Sequence, residues 1–350
     1  MNITDFKQRR NRILEVIVEA YVTTASPVGS ALVARKLRAS LSPATIRNVM
    51  VELEEAGLLE QPHTSAGRVP TDRGYRFYVD AVMDVRHLSA EQLRQIEALL
   101  GPDEVEVDQL LERAGCVISE LTQQVGFVVV PTVKQSTVKQ IELVPLGIRK
   151  VLCVLIANEE IITSHVVEIE EPLSRDETMA LVRFINTELV GLPFQNLLDS
   201  LERRMLTQSD SFYHPVKRSL SILQHALSTE PNERLLLEGA NYVVAQPEFR
   251  RDPRKASELL KGLDADGPLL ERVRQDVTTD GVRVRIGHEV QVPGLEECST
   301  MTAPFSLGSE IIGGVGVLGP RRLDYPRMRA LVEGVARCVT LLLSHWESGE

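Results

Sequence analysis

Residues 42–71 read SPATIRNVMVELEEAGLLEQPHTSAGRVPT, and this stretch decides the fold of the first quarter of the chain. Ser42-Pro43 predicts a helix start, because the hydroxyl can cap free amides and proline tolerates the first helical position. Ile46, Val49, Met50 and Leu53 follow at i, i+3, i+4 and i+7, so they share one face. Gly57 stands where a helix-ending glycine belongs. Leu58–Gln61 then reads as a short strand, His63–Gly67 as a loop and Arg68–Pro70 as a returning strand.

Upstream, Thr4 is a candidate N-cap for a helix carrying Ile13, Leu14, Ile17, Val18 and Tyr21, and Ser30–Leu37 reads as a second, short helix. Downstream, Thr71 or Asp72 caps a helix carrying Tyr75, Phe77, Tyr78 and Val79. The order helix, helix, helix, strand, loop, strand, helix predicts a winged helix-turn-helix over residues 1–85. The chain is only 4% aromatic, so three aromatics within Tyr75–Tyr78 are unusual. They are expected to close the head's small core and connect it to the body.

Ser89-Ala90-Glu91-Gln92 has capping-box spacing and opens a linker helix within 86–104. A helix over Val105–Gln124 and strands at Gly126–Pro131, Lys139–Pro145, Lys150–Ala157 and Ile161–Ile169 come next. Residues 172–263 read as helical, with Met179–Leu189, Leu197–Thr207 and Tyr213–Leu227. Strands resume at Val282–Ile286 and within Met301–Leu318, and Asp324 caps a last helix to Trp346. Strands interrupted by a helical block predict one α/β domain (105–171 and 266–350) split by an insertion (172–265), an α+β multidomain chain.

Net charge is −10 over 350 residues, distributed as +1 in residues 1–85 and −11 in the remainder. That asymmetry fits a small nucleic-acid-binding head on an acidic body. No apolar run approaches the roughly 18 residues of a membrane span, and the charges of Asp5–Arg12 are unlike a signal peptide, so no membrane partner and a cytoplasmic location are expected. Four widely spaced cysteines form no CxxC, and the seven histidines show no HxxH or HxH spacing, so reduced thiols and no metal are expected. Gly314–Gly319 is a literal GxGxxG, but Pro320 follows with no helix opening inside it, so it reads as a glycine-rich strand and turn. Glu159-Glu160 and Glu170-Glu171 are paired only in sequence: strand neighbours point to opposite faces, so neither pair converges, and both read as solvated turn charges. No catalytic signature stands out, so neither an enzyme nor a cofactor is expected.

Arg47 and Asn48 lie opposite the apolar face of the third helix, in its N-terminal half. Arginine reads guanine and asparagine reads adenine in the major groove, and recognition helices touch base edges at this end. Thr45, Ala44 and Val51 join them as candidate readout positions. Ser42, with Lys36 and Arg38 from the second helix, is placed for phosphate. His63, Thr64, Ser65 and Arg68 supply donors and charge at a wing tip, where Gly67 would admit the backbone.

The runs Ser42–Asn48, Leu59–Thr71, Gly74-Tyr75 and Tyr78–Asp80, with Gly316–Pro320, Arg322 and Asp324–Arg327 near the other end, resemble the bacterial heat-inducible transcription repressor family HrcA. The resemblance implies a homodimeric repressor of chaperone operons that binds the inverted-repeat CIRCE operator in double-stranded DNA. It further implies a GAF-like domain split by an inserted dimerisation domain, with activity supported by the GroEL chaperonin. Leu220, Leu223 and Leu227 on one helix, with Leu235 and Leu236 on the next, are candidates for the dimer interface or for the core of the insert. Two other readings stay open: a winged-helix regulator controlled by a small metabolite in its GAF-like domain, and an interaction adaptor that does not touch DNA.

Overall fold

The computed structural model describes residues 3–38, 41–63, 66–84, 86–101, 107–130, 138–157, 161–169, 172–192, 196–207, 217–224, 234–264, 267–278, 281–307 and 310–348. The chain divides into two compact units, one made of Met1–Val130 with Leu235–Ser348, the other of Pro131–Arg234.

The first unit begins with α1 (Ile3–Thr24), α2 (Ser30–Lys36) and α3 (Pro43–Glu55), then the strands β1 (Leu59–Glu60) and β2 (Val69–Pro70), then α4 (Asp72–Ala81). Ile13, Leu14 and Ile17 of α1 are fully buried with Ile46 and Leu53 of α3 and Val33 of α2. The apolar spacing thus makes one three-helix core. β1 and β2 pair antiparallel, Leu59 with Pro70 and Glu60 with Val69.

After α5 (Ala90–Leu100) and α6 (Val107–Thr122), a five-stranded sheet forms in the order β7-β3-β10-β9-β8. Its strands are β3 (Val125–Val130), β7 (Arg234–Glu238), β8 (Arg283–Ile286), β9 (Cys298–Leu307) and β10 (Glu310–Pro320). One face, with Val128, Met301, Phe305 and Val317, packs on α6 and on α14 (Tyr325–Ser348). The other face, with Val125, Phe127 and Leu318, packs on Leu259 of α12 (Pro253–Gly262) and Val273 of α13 (Pro268–Val277). The short helices α10 (Ala240–Val244) and α11 (Pro247–Arg250) precede these, with Val243 and Phe249 in the same cluster. The glycines of β10 serve this two-sided packing. A Cβ on Gly316 would stand on the Met301 carbonyl and the Phe127 ring, and one on Gly314 would meet Val277.

The second unit is a three-stranded antiparallel meander, β4 (Val138–Pro145), β5 (Lys150–Ala157) and β6 (Ile161–Glu168), packed on α7 (Arg175–Leu189), α8 (Leu197–Thr207) and α9 (217–224). Asn186 of α7 fixes the edge strand. Its Nδ2 donates to the Ile141 carbonyl at 2.7 Å, and its Oδ1 accepts from the Ile141 amide at 2.8 Å.

This division differs from the expected one. Among the described residues β4–β6 pair only with each other, so the insertion spans 131–234, and residues 240–277 return to the first unit. Periodicity identifies strands but not their partners, and a locally paired meander looks the same in sequence as three strands of a larger sheet. Leu235 and Leu236, expected on a helix, lie on β7, with Leu235 buried against the β3 side of the first unit. Leu223 is core within the second unit, Leu220 packs against that core, and Leu227 lies outside the described residues. Glu159-Glu160, Glu170-Glu171, Thr64 and Ser65 also lie outside them.

Gly316→Ala is expected to destabilise the first unit by roughly 1–3 kcal/mol, the cost of overpacking a filled core. Gly147→Ala, where a Cβ meets nothing within 4 Å, is expected to change stability by less than about 0.5 kcal/mol. Denaturant unfolding of the two variants checks the contrast.

Candidate nucleic-acid interface

Ser42 caps α3 as its sequence suggests. Its Oγ accepts from the Thr45 amide at 3.1 Å and lies 2.9 Å from Thr45 Oγ1. Both hydroxyls are therefore engaged in the helix start. The far end closes through Gly57 at φ +71°, with Leu58 N donating to Leu53 O and Gly57 N to Glu54 O, the two bonds of a Schellman cap. Between the caps, Ile46, Val49, Met50 and Leu53 are buried, and Ala44, Arg47, Asn48 and Val51 are exposed on the opposite face. The five predicted positions of α3 thus resolve into four open side chains and one, Thr45, half-buried at the cap. Lys36 and Arg38 are exposed as well, with Arg38 at φ +52° just beyond α2.

The β1–β2 hairpin is fastened on two sides. Val28, from the turn between α1 and α2, exchanges both backbone hydrogen bonds with Arg68 at 2.9 Å. A Cβ on Gly67 would collide with the Val28 backbone, so glycine is required by this strand-to-strand approach. Gln61 Nε2 donates to the Ala66 carbonyl at 3.0 Å and closes the loop. His63 is exposed near its tip.

Arg68 differs from expectation. Its side chain is only 16% exposed, and it reaches back to Glu54 on α3, with Nε 2.9 Å and Nη2 2.8 Å from the carboxylate. A guanidinium held by a carboxylate in this way locks the hairpin to the helix. The sequence separation of the two residues, fourteen positions with a turn between, gave no sign of the pair.

The aromatic cluster expected to connect the head to the body meets it through Tyr75, and charged pairs that the sequence does not signal surround that contact. Thr71 Oγ1 accepts from the Gly74 amide at 3.0 Å to cap α4 and donates to the Gly57 carbonyl at 2.7 Å. Tyr75 and Tyr78 are buried, and the Tyr75 ring lies 5.8 Å from that of Tyr325 at the start of α14. Around this pair, Asp72 accepts from the His288 backbone at 3.2 Å, lies 2.9 Å from His288 Nδ1, and accepts from Arg321 at 2.8 Å. Arg321 also donates to Glu297 at 2.6 Å, and Lys255 donates to Glu297 at 3.1 Å. Arg76 donates to Glu289 at 2.5 and 3.0 Å and to the Val284 carbonyl at 2.6 Å. Arg322 donates to Glu248, to Gln246 at 2.7 Å and to the Val22 carbonyl at 3.2 Å. Burial opposes ionisation of Asp72, yet the bonds from His288 and Arg321 outweigh it and hold the carboxyl below its usual range. Burial likewise opposes ionisation of Glu297, which Arg321 and Lys255 hold low.

Among the described residues, no cluster of histidine, cysteine or carboxylate side chains could hold a metal ion, and no helix is long and apolar enough to cross a membrane.

Residues 108–328 match the family model described as HrcA protein C terminal domain. The chain is 34% identical over 328 residues to the heat-inducible transcription repressor HrcA of Symbiobacterium thermophilum, covering 94% of this chain and 96% of that one. It is 33% identical over 344 residues to the protein of the same name from Geobacter sulfurreducens, covering 97% and 99%. The chain belongs to the HrcA family. A solved structure titled as a hypothetical protein at 2.2 Å resolution shares the fold, with a TM-score of 0.58 and 22% identity over 98% of each chain.

The depressed carboxyls set a pH limit on the HrcA head. Because Asp72 and Glu297 ionise more readily when folded, their contribution is complete above the ordinary carboxylate value of about 4 and is lost as pH falls through the lower folded values. The thermal midpoint is expected to fall between pH 5 and pH 3, and to fall less in Asp72→Asn. Calorimetric scans across that interval check it.

Proposed function

We propose that residues 3–81 act as a winged helix-turn-helix that carries α3 into the major groove of double-stranded DNA, and that the chain is a repressor of heat-shock operons. The observation that carries this reading is the face of α3. It presents Ala44, Arg47, Asn48 and Val51 to solvent from a capped helix, with the exposed cations Lys36 and Arg38 preceding it in the chain and the fastened hairpin following. Arg47 and Asn48 are the base readers, with Val51 and Ala44 placed for thymine methyls. His63 and the neighbouring Thr64 and Ser65 approach the backbone phosphates from the wing, and Arg68 positions that wing through Glu54. The names of the relatives, heat-inducible transcription repressors, support the same reading.

The operator of this reading is the inverted repeat CIRCE, bound by a homodimer in the cytoplasm, with the GroEL chaperonin favouring the active form. The five-stranded sheet with its flanking helices is then the GAF-like domain, and the inserted unit is the dimerisation domain. In that unit Val144, Leu152 and Val166 stand in register on the sheet face opposite its helices, with Val144 and Val166 about half exposed, which suits self-association. Apolar side chains fill both faces of the five-stranded sheet, which favours this reading over control by a metabolite held there.

Fluorescence anisotropy with a CIRCE-type repeat and a scrambled duplex, at fixed salt, tests the assignment. Preference for the repeat by orders of magnitude is expected, with a larger active fraction when chaperonin is added. Arg47→Ala should cost roughly 1–3 kcal/mol on the repeat and relax specificity at one base pair. Equal binding of both duplexes by folded protein would overturn the operator reading.

A further inference from the structure

The geometry points to Asp72 and Arg321 as positioning residues for operator binding: the interlock they form holds the DNA-reading head on the body at one orientation, and so fixes the half-site spacing that a dimer accepts. This rests on the dimeric repressor reading above.

Three observations carry it. First, α4 is part of the head rather than a tether to it. Thr71 ties its start to Gly57 at the end of α3, and a Cβ on Gly74 would stand on the Leu58 carbonyl, so α4 lies directly on the hairpin. Whatever holds α4 therefore holds α3.

Second, the body carries a shaped socket for Asp72. Gly287 adopts φ +56°, and a Cβ there would occupy the position of the Asp72 carboxylate. The carboxylate enters that space and takes the His288 amide and Arg321, which come from segments 216 and 249 residues away in sequence. Arg321 is itself aimed by Glu297, which Lys255 holds in turn.

Third, the attachment has more than one point. A single ion pair would leave the head free to rotate about it. Here Asp72, Tyr75 and Arg76 engage the body from one turn of α4, and Arg322 reaches the Val22 carbonyl near the end of α1. Contacts to two helices of the head, around a buried aromatic pair, define an orientation as well as a distance. In a symmetric dimer, orientation of each head on its body sets the separation of the two recognition helices, and half-sites must match it to within a fraction of a helical turn.

The test uses the full chain and two variants, Asp72→Asn and Arg321→Met. Hydrogen exchange at neutral pH reads the interlock without DNA: amides of α4 and of residues 283–290 should exchange about tenfold faster or more in both variants, and those of α3 within about twofold of wild type. Anisotropy against repeats whose half-sites are moved by one to about five base pairs, half a helical turn, reads the consequence. Wild type should favour one spacing by tenfold or more. The variants should lose about tenfold of that preference and keep their affinity for a single half-site duplex within about twofold. Unchanged exchange, or variants that keep the spacing preference, overturns the proposal and leaves the operator reading standing. Half-site affinity that falls in step with repeat affinity also overturns it, since the interlock would then only maintain the head's fold. Wild type that does not distinguish the repeat from a scrambled duplex overturns the operator reading instead, whatever the exchange data show.

Discussion

The fit of Gly74 against the Leu58 carbonyl is the constraint on which the placement of the exposed α3 face depends. It brings the backbone of α4 onto β1 with no side chain between them. Thr71 adds a hydrogen bond to the residue that ends α3. α3, the hairpin and α4 are therefore one piece, and the body needs to grip only α4 and α1 to control where Arg47 and Asn48 point. Asp72, Glu289 and Glu297, each of which would repel a duplex, are all paired with cations.

Charge has been sorted in the same way on α3 itself. The helix carries Glu52, Glu54 and Glu55 near its C-terminal end and Arg47 near its N-terminal end. A duplex approaching the N-terminal half meets Arg47, the positive end of the helix dipole and the exposed Lys36 and Arg38. Glu54 is turned to internal use by Arg68. This pairing accounts for a half-buried arginine on the hairpin: its charge ties the hairpin to the helix.

Much of the head was legible because its signals are local. Ser42-Pro43, Gly57, Thr71 and the i, i+3, i+4, i+7 apolar run each act within about four residues, and the cap geometries appear where those residues stand. Ser89 and Gln92 make the full capping box for the same reason. The exposed face of α3 follows from its buried one. The partners of Arg68, Asp72 and Arg76 did not follow, because a charged residue does not specify in sequence which opposite charge it meets 14, 249 or 213 residues away. Gly67 has no room for a side chain, and the close approach that requires this is to the Val28 backbone, which no local signal announces. The insertion was legible as an interruption of strands and misplaced at both ends, since β4–β6 form their own sheet and β7, five residues long, hides within a segment rich in helices.

The interlock is built of charged groups around a buried aromatic pair, and this composition bears on how such a head could respond to heat. The desolvation penalty of ion pairs falls as temperature rises, because hydration of charged groups becomes less favourable. The Asp72–Arg321–Glu297 network is therefore a poor thermal fuse: warming does not selectively weaken it. The meander of the second unit is a better candidate for a labile element. It is three strands wide and apolar on an exposed face, and partner chains could stabilise it only in proportion to their concentration and affinity. Under the proposed dimeric reading, a head fixed on the body, with the response to heat placed in how chains associate, would separate the two demands on a heat-controlled repressor. Base recognition would then stay intact as long as the chain is folded, and the two-site affinity for an inverted repeat would be lost with the second head.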